Sequence, residues 1–306
     1  MTKPQKKKLI QLLAVAAILI IGSLIPSLGI PGVPGWDAIF TGAGLRGGET
    51  DSLPLRVHFI DVGQGDCTLI QSGEANVLID GGERGNDKNV ISYLRNQNVQ
   101  QIDYLIITHP HSDHIGSLPE IIAQYPPKNV IMTRLSEKDV PTTKIYENLL
   151  KAITQSGAAI IAAEPGNGYN IGEAKLEILA PLAQYNELNN MSVVIRVSLG
   201  DVAYLFTGDA ESKSENAMVA SGRNLRADVL KAGHHGSKSS TSADFLAAVR
   251  PTVAVISNGQ NSYGHPHDEV MKRLAAMGVQ VLRTDQRGTI IIATDGKELI
   301  TKWTKL

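Results

Sequence analysis

The chain has 306 residues, with 29 lysines and arginines against 30 aspartates and glutamates, 42% hydrophobic residues and one cysteine, Cys67. That balance excludes low-complexity disorder, collagen and a protein of several membrane spans, and a single cysteine excludes a disulfide framework. The first 52 residues hold five basic and three acidic side chains, leaving 24 basic and 27 acidic in the remainder, so a globally basic surface for nucleic acid is absent and only a local patch is allowed.

In chain order, MTKPQKKK precedes the apolar run LIQLLAVAAILIIGSLI at 9–25, and no charged side chain appears before Asp37. Lysines ahead of an apolar run hold that end in the cytoplasm and send the following chain outward. Residues 1–25 are therefore expected to be a signal-anchor or transmembrane segment with the rest outside. An uncleaved anchor is preferred, since no small-x-small site follows and no cysteine is available for lipid attachment; cleavage would give a secreted protein. Residues 26–53, with Pro26, Pro31, Pro34 and many glycines but no hydrophobic period, read as a linker to a soluble domain over 54–306.

From Leu55 the pattern gives short β runs, LRVHFID, CTLIQ and NVLID, bounded by turns such as GQGD and GG. A helix is expected over 86–96, then the strand YLIIT, a loop rich in histidine and aspartate, and a helix over 115–124. NVIM, AAIIA, KLEIL, SVVIRVSL, VAYLF and DVLKA follow as strands, with helices over 142–155 and 210–220 among them. The end repeats the alternation: a helix over 243–249, TVAVIS, a helix over 267–277, then VQVLRT, GTIIIA and ELITKW. Strands of mixed order with helices throughout predict sheets covered by helices on their outer faces.

Of eight histidines, His58 lies inside a strand and reads as structural. The other seven fall directly after strands: His109, His111 and His114; His234 and His235; His265 and His267. Strand C-terminal ends are where open α/β structures gather ligands. His109, His111, Asp113 and His114 set three imidazoles and a carboxylate in one loop, donors suited to zinc or manganese, and alternate side-chain directions let one loop serve two metals. Asp209 alone reads as a helix N-cap; beside the histidine clusters it reads as a bridging carboxylate. His234-His235-Gly236-Ser237 offers one ligand and one phosphate or acid–base contact.

These residues resemble the metallo-β-lactamase fold family, in the branch seen in the C-terminal domain of ComEC/Rec2 DNA-uptake proteins. The resemblance runs through FIDVGQGDC at 59–67, LIDGG at 78–82, THPHSDHIG at 108–116, NNMSVVIRV at 189–197, FTGDA at 206–210, KAGHHGSKSS at 231–240 and SNGQNSYGHP at 257–266. It implies an α+β fold, the αββα sandwich, with two divalent metal ions, zinc or manganese, and hydrolytic chemistry. Carried over by motif, His109 and His111 hold one metal, Asp113 and His114 the other, Asp209 bridges, and His235, preferred to His234, adds a ligand. The spare imidazole of His234 is expected to face substrate or stand behind the ligands, and Asp80 supports the site by hydrogen bonds. One departure is that no histidine lies between His114 and His234; Asn189-Asn190-Met191-Ser192 occupies the region of the family's further histidine.

Two divalent ions suit in-line displacement at phosphorus. Lys231, Ser237 and their neighbours offer donors for phosphate oxygens, Asp113 and His265 are the catalytic candidates, and His265 is placed to bind a phosphate oxygen or protonate a leaving group. The expected activity is that of a membrane-anchored phosphodiesterase outside the cytoplasm, with DNA as substrate by resemblance and the DNA-uptake machinery as a partner. The alternatives are a phosphodiesterase on cell-wall phosphocholine, which needs an aromatic cage, and a non-catalytic module binding metal or DNA.

Overall fold

A computed structural model describes residues 50–305. The expected anchor at 1–25 lies outside the described residues, as does the linker up to residue 49; Thr50–Ser52 forms a 3-10 turn with Thr50 buried. Among the described residues no helix is long and apolar enough to cross a membrane.

The first six strands are β1 (Leu55–Phe59), β2 (Thr68–Ser72), β3 (Ala75–Ile79), β4 (Ile102–Ile107), β5 (Pro127–Met132) and β6 (Ala159–Ala162). A second sheet follows from β7 (Gly168–Ile171), β8 (Ala174–Ala180), β9 (Val194–Leu199), β10 (Val202–Phe206), β11 (Val229–Lys231), β12 (Val253–Ile256) and β13 (Gln280–Arg283), and β14 (Ile290–Thr294) and β15 (Leu299–Trp303) then return to the first. The orders are β15-β14-β1-β2-β3-β4-β5-β6 and β13-β12-β11-β10-β9-β8-β7. In each sheet one side is antiparallel and the other parallel, β3 through β6 and β10 through β13. Strands such as β12, VAVI, are buried along their whole length, which is why they read as unbroken apolar runs.

Three apolar layers follow from that pattern. Between the sheets, Phe59, Val77, Ile106, Val197, Tyr204, Val255 and Ile292 interdigitate. The Tyr204 hydroxyl donates to the Ile292 carbonyl at 3.2 Å, so the largest of these side chains keeps its polar atom paired. Outside the first sheet lie α1 (Asp87–Asn96), α2 (Ser112–Ile115), α3 (Leu118–Gln124) and α4 (Lys144–Ser156), which bury Leu94, Ile115, Ile121 and Leu149 against Leu78, Leu105 and Val130. Outside the second lie α5 (Ser212–Ala220), α6 (Ala243–Val249) and α7 (Asp268–Ala276), burying Met218, Phe245 and Leu274 against Leu205, Leu230 and Ala254; α8 (Thr284–Arg287) is a single turn after β13. The layers run helix, sheet, sheet, helix, the expected αββα arrangement.

Three elements differ from the sequence reading. The helix expected over 115–124 divides at Gly116 and Ser117, where the backbone of Glu83 and Arg84 crosses: a Cβ on Gly116 would lie 2.3 Å from the Arg84 nitrogen, and the Ser117 hydroxyl donates to the Glu83 carbonyl at 2.6 Å. The helix expected from 210 begins at Ser212, and Asp209 does not cap it. Asn190 Oδ1 accepts from the amides of Glu211 (3.2 Å) and Ser214 (3.1 Å) instead, leaving the Asp209 carboxylate free for other work. The edge strand β7 is absent from the sequence reading because GYNI is only four residues long, too short for the inward alternation of Tyr169 and Ile171 to stand out.

Candidate metal centre

Every site loop leaves the C-terminal end of a strand on one edge of the sandwich: Asp80 after β3, the His109 loop after β4, Asp209 after β10, His234 and His235 after β11, and the His265 loop after β12. Backbone hydrogen bonds tie the loops together, from Asp66 N to Asp113 O (3.1 Å), Gly81 N to His114 O (2.7 Å), Gly82 N to Asp66 O (2.8 Å) and Val193 N to Thr108 O (2.9 Å). Gly65 is required where this network is tightest, because its φ is +134° and a Cβ there would sit 2.2 Å from the Asp113 carbonyl oxygen.

Ring nitrogens converge on Asp209, which is buried. His109 Nε2 lies 3.7 Å and His235 Nε2 3.6 Å from its Oδ2, and His114 Nε2 lies 3.3 Å from its Oδ1. Asp113 Oδ2 stands 3.2 Å from His235 Nε2 and 4.0 Å from His114 Nε2. Asp113, His114, Asp209 and His235 thus offer four donor atoms within 4.8 Å of one another. His111 stands beside them, its Nδ1 3.0 Å from His109 Nε2.

The far nitrogens explain the orientations. His114 Nδ1 donates to Asp80 Oδ2 at 2.8 Å, and Asp80 also accepts from the Thr108 amide (2.9 Å) and hydroxyl (2.6 Å). His235 Nδ1 donates to the Ser257 carbonyl at 2.9 Å. Each bond fixes the tautomer that leaves Nε2 with a lone pair aimed inward, the usual arrangement behind a metal-ligating imidazole.

The residues fit a divalent cation. His114 Nε2, His235 Nε2 and Asp209 Oδ1 are buried and have no hydrogen-bond partner, a costly state that one cation between them relieves. Burial opposes the charged forms of His114 and His235, but Asp209 with Asp80 for the first, and Asp209 with Asp113 and Asp66 for the second, outweigh it and raise both imidazoles above their ordinary value. Burial likewise opposes ionisation of Asp209, yet the charges of His235 and His114 hold its carboxyl well below the usual range. Protons on these two imidazoles occupy the place of the metal, so its capture releases them and weakens as pH falls. In the second acidic group, Asp66 with Asp80 and His114, a buried lysine stands on Asp66 Oδ2 and Asp80 bonds His114, while Asp66 Oδ1 is buried without a hydrogen-bond partner, 3.6 Å from His235 Nδ1.

The structure sorts the remaining candidates. A cleft of about 430 Å³ opens over the centre, with Asn189, His234, Tyr263 and His265 on its wall. Lys231 and Ser237 do not line it: Lys231 is 2% exposed, its Nζ 2.5 Å from Asp66 Oδ2 and donating to the Gly208 carbonyl at 3.1 Å, and Ser237 bonds Ser239 at 2.9 Å. Asn190 serves the helix start described above. His58 is structural, buried in β1 with its Nδ1 2.9 Å from the Tyr93 hydroxyl. Sequence reasoning missed Asp66, the partner of Lys231, and Glu211, whose Oε1 lies 3.1 Å from His234 Nδ1. Their signals were present, one in GQGD after a strand and the other directly after FTGDA.

The family model described as the Metallo-beta-lactamase superfamily matches residues 60–260. The chain is 34% identical to ComE operon protein 3 of Bacillus subtilis over 76% of this chain and 32% of that protein. It is 32% identical to competence protein ComA of Neisseria gonorrhoeae, over 75% and 31%, and 34% identical to recombination protein 2 of Haemophilus influenzae, over 72% and 26%. The chain therefore spans about a third or less of the length of these curated relatives. Among solved structures, CmlA from Streptomyces venezuelae, a diiron beta-hydroxylase, superposes with a TM-score of 0.53 at 14% identity, over 83% of this chain and 54% of that one. YhfI from Bacillus subtilis, a metallo-beta-lactamase fold protein, superposes with a TM-score of 0.50 at 17% identity, over 77% and 99%.

Proposed function

The chain belongs to the metallo-β-lactamase superfamily, and from that premise we propose that it is a metal-dependent phosphodiesterase that hydrolyses DNA outside the cytoplasm, as part of DNA uptake. The observation that carries the hydrolytic reading is the set of unpartnered donor atoms around Asp209 at the floor of an open cleft. Similarity to competence proteins supports DNA and the uptake machinery as partners. Of the alternatives, a phosphocholine site needs a cage of aromatic rings, whereas the only aromatic ring lining the cleft among the described residues is Tyr263. A module that binds DNA alone does not account for a preoriented four-donor set of which His114, Asp209 and His235 are buried.

Two divalent ions, zinc or manganese, would supply polarisation of the attacking water and neutralise phosphate oxygens. The chain itself holds Asp209 and Asp113 as ionised acceptors and aims His114 and His235 through the Asp80 and Ser257 bonds. His265 contributes from the wall. Burial and the nearby charges of His234, His235 and His267 push its imidazole down to about 4, so it is neutral at pH 7. Its Nδ1 is buried without a partner. A neutral ring is a poor proton source, so we assign His265 a hydrogen bond to a phosphate oxygen rather than protonation of the leaving group.

The test uses the full chain with manganese or zinc on labelled single- and double-stranded DNA and on a bis-aryl phosphodiester. Cleavage that chelation abolishes is expected, and a metal-loaded protein that leaves all three intact would end the phosphodiesterase reading. His265→Ala should lower turnover about a hundredfold or more, equally on DNA and on the aryl ester, with metal content unchanged. A markedly smaller loss on the aryl ester, whose leaving group needs no proton, would restore the general-acid role.

The anchored, outward topology rests on Lys3, Lys6, Lys7 and Lys8 before the apolar run. Protease added to intact cells should remove the domain; protection equal to that of a cytosolic control would defeat the assignment.

A further inference from the structure

Two metal positions need two ligand sets, and the sequence leaves one short. Asp113, His114, Asp209 and His235 close around one position, but the other has only His109 and His111 beside Asp209, with no histidine between His114 and His234 to complete it. We infer that His234, held by Glu211, is the missing ligand of that position. The inference rests on the two-metal reading above.

Three observations meet in this residue. His234 Nε2 lies 3.8 Å from Asp209 Oδ2, the same oxygen that His109 Nε2 approaches at 3.7 Å. The residue adopts a left-handed backbone (φ 48°, ψ 49°), as does His235 (φ 52°, ψ 26°), a conformation that side chains rarely take and that here turns two adjacent imidazoles toward one carboxylate from different sides. His234 Nδ1 lies 3.1 Å from Glu211 Oε1, which also accepts from the Ser239 hydroxyl at 2.9 Å and from Asn189 Nδ2 at 3.4 Å. This repeats the relation between Asp80 and His114: a carboxylate takes the Nδ1 proton and leaves the Nε2 lone pair facing the centre.

Carboxylate support also orients catalytic imidazoles that touch only substrate, so the number of bound metal ions is what separates the two roles.

The experiment measures metal binding to the full chain without substrate, with bound manganese and zinc counted by elemental analysis and affinities read by calorimetric titration. Wild type should hold about two ions per chain, and His234→Ala about one, with the remaining affinity unchanged. Glu211→Gln should still reach two ions but weaken one of them about 10- to 100-fold. His234→Asn, which tolerates the left-handed backbone, provides the same reading if the alanine variant does not fold. Two ions at wild-type affinities in both His234 variants, or one ion in wild type, would overturn the inference. A wild type that binds two ions but leaves DNA and the bis-aryl phosphodiester intact would end the phosphodiesterase reading and leave this one standing.

Discussion

Asp209→Ala is expected to lose its metal and, with it, on the order of a thousandfold or more of its hydrolytic activity, while remaining folded. His109, His114 and His235 all direct Nε2 at this carboxylate, from 3.7, 3.3 and 3.6 Å, so the substitution removes the group on which all three rings converge. The fold survives because the supports around residue 209 do not depend on its side chain. Its amide donates to the Ser192 hydroxyl at 3.1 Å, and the helix that follows is started by Asn190. The electrostatic cost is also limited. Asp209 is the largest of the influences that raise the buried His114 and His235, and its removal lets burial pull both rings back toward the neutral form. The measurements are metal content by elemental analysis, hydrolysis of labelled DNA, and circular dichroism as the control for folding. Metal and activity retained at wild-type levels would remove Asp209 from the centre.

How far the sequence speaks depends on how local each arrangement is. His109, His111, Asp113 and His114 sit in one loop after one strand, so their grouping is visible from spacing alone, and three of the four converge with Asp209 in space. The layered fold is legible for a similar reason, since apolar runs and amphipathic stretches follow one another along the chain. The roles of His234 and His235 are not legible, because neighbours in a left-handed turn point in directions that spacing does not specify. Lys231 and Ser237 read as phosphate donors because polar residues beside a histidine pair suggest a cleft. Lys231 is instead the last residue of a fully buried strand, facing an aspartate from a loop far back in the chain. Asp209 reads as a cap or a bridge until Asn190 is seen to take the capping role from across the loop.

The buried pair behind the centre gives the largest expected effect on stability. Lys231→Met should lower the free energy of unfolding by about 3–5 kcal/mol, since it takes the nearest cation from the buried Asp66 carboxylate and leaves only the His114 and His235 imidazoles, at 3.8 and 3.6 Å, beside it. The two groups are almost wholly buried at 2.5 Å, and Lys231 Nζ also donates to the Gly208 carbonyl at 3.1 Å and lies 4.0 Å from Asp209 Oδ1. Methionine matches the length of the stem but supplies no donor. The double variant Asp66→Asn/Lys231→Met should recover about 2 kcal/mol of the loss, because the buried charge goes with it; about 1–3 kcal/mol should remain for the Gly208 carbonyl left without a partner. Urea unfolding of the metal-free protein measures all three, and dissociation of the metal cannot then contribute. A phosphate-binding lysine makes the opposite prediction, a stable single variant with a raised KM on DNA. A loss under about 1 kcal/mol accompanied by such a rise would place Lys231 in the cleft and undo the assignment of this pair to the support of the centre.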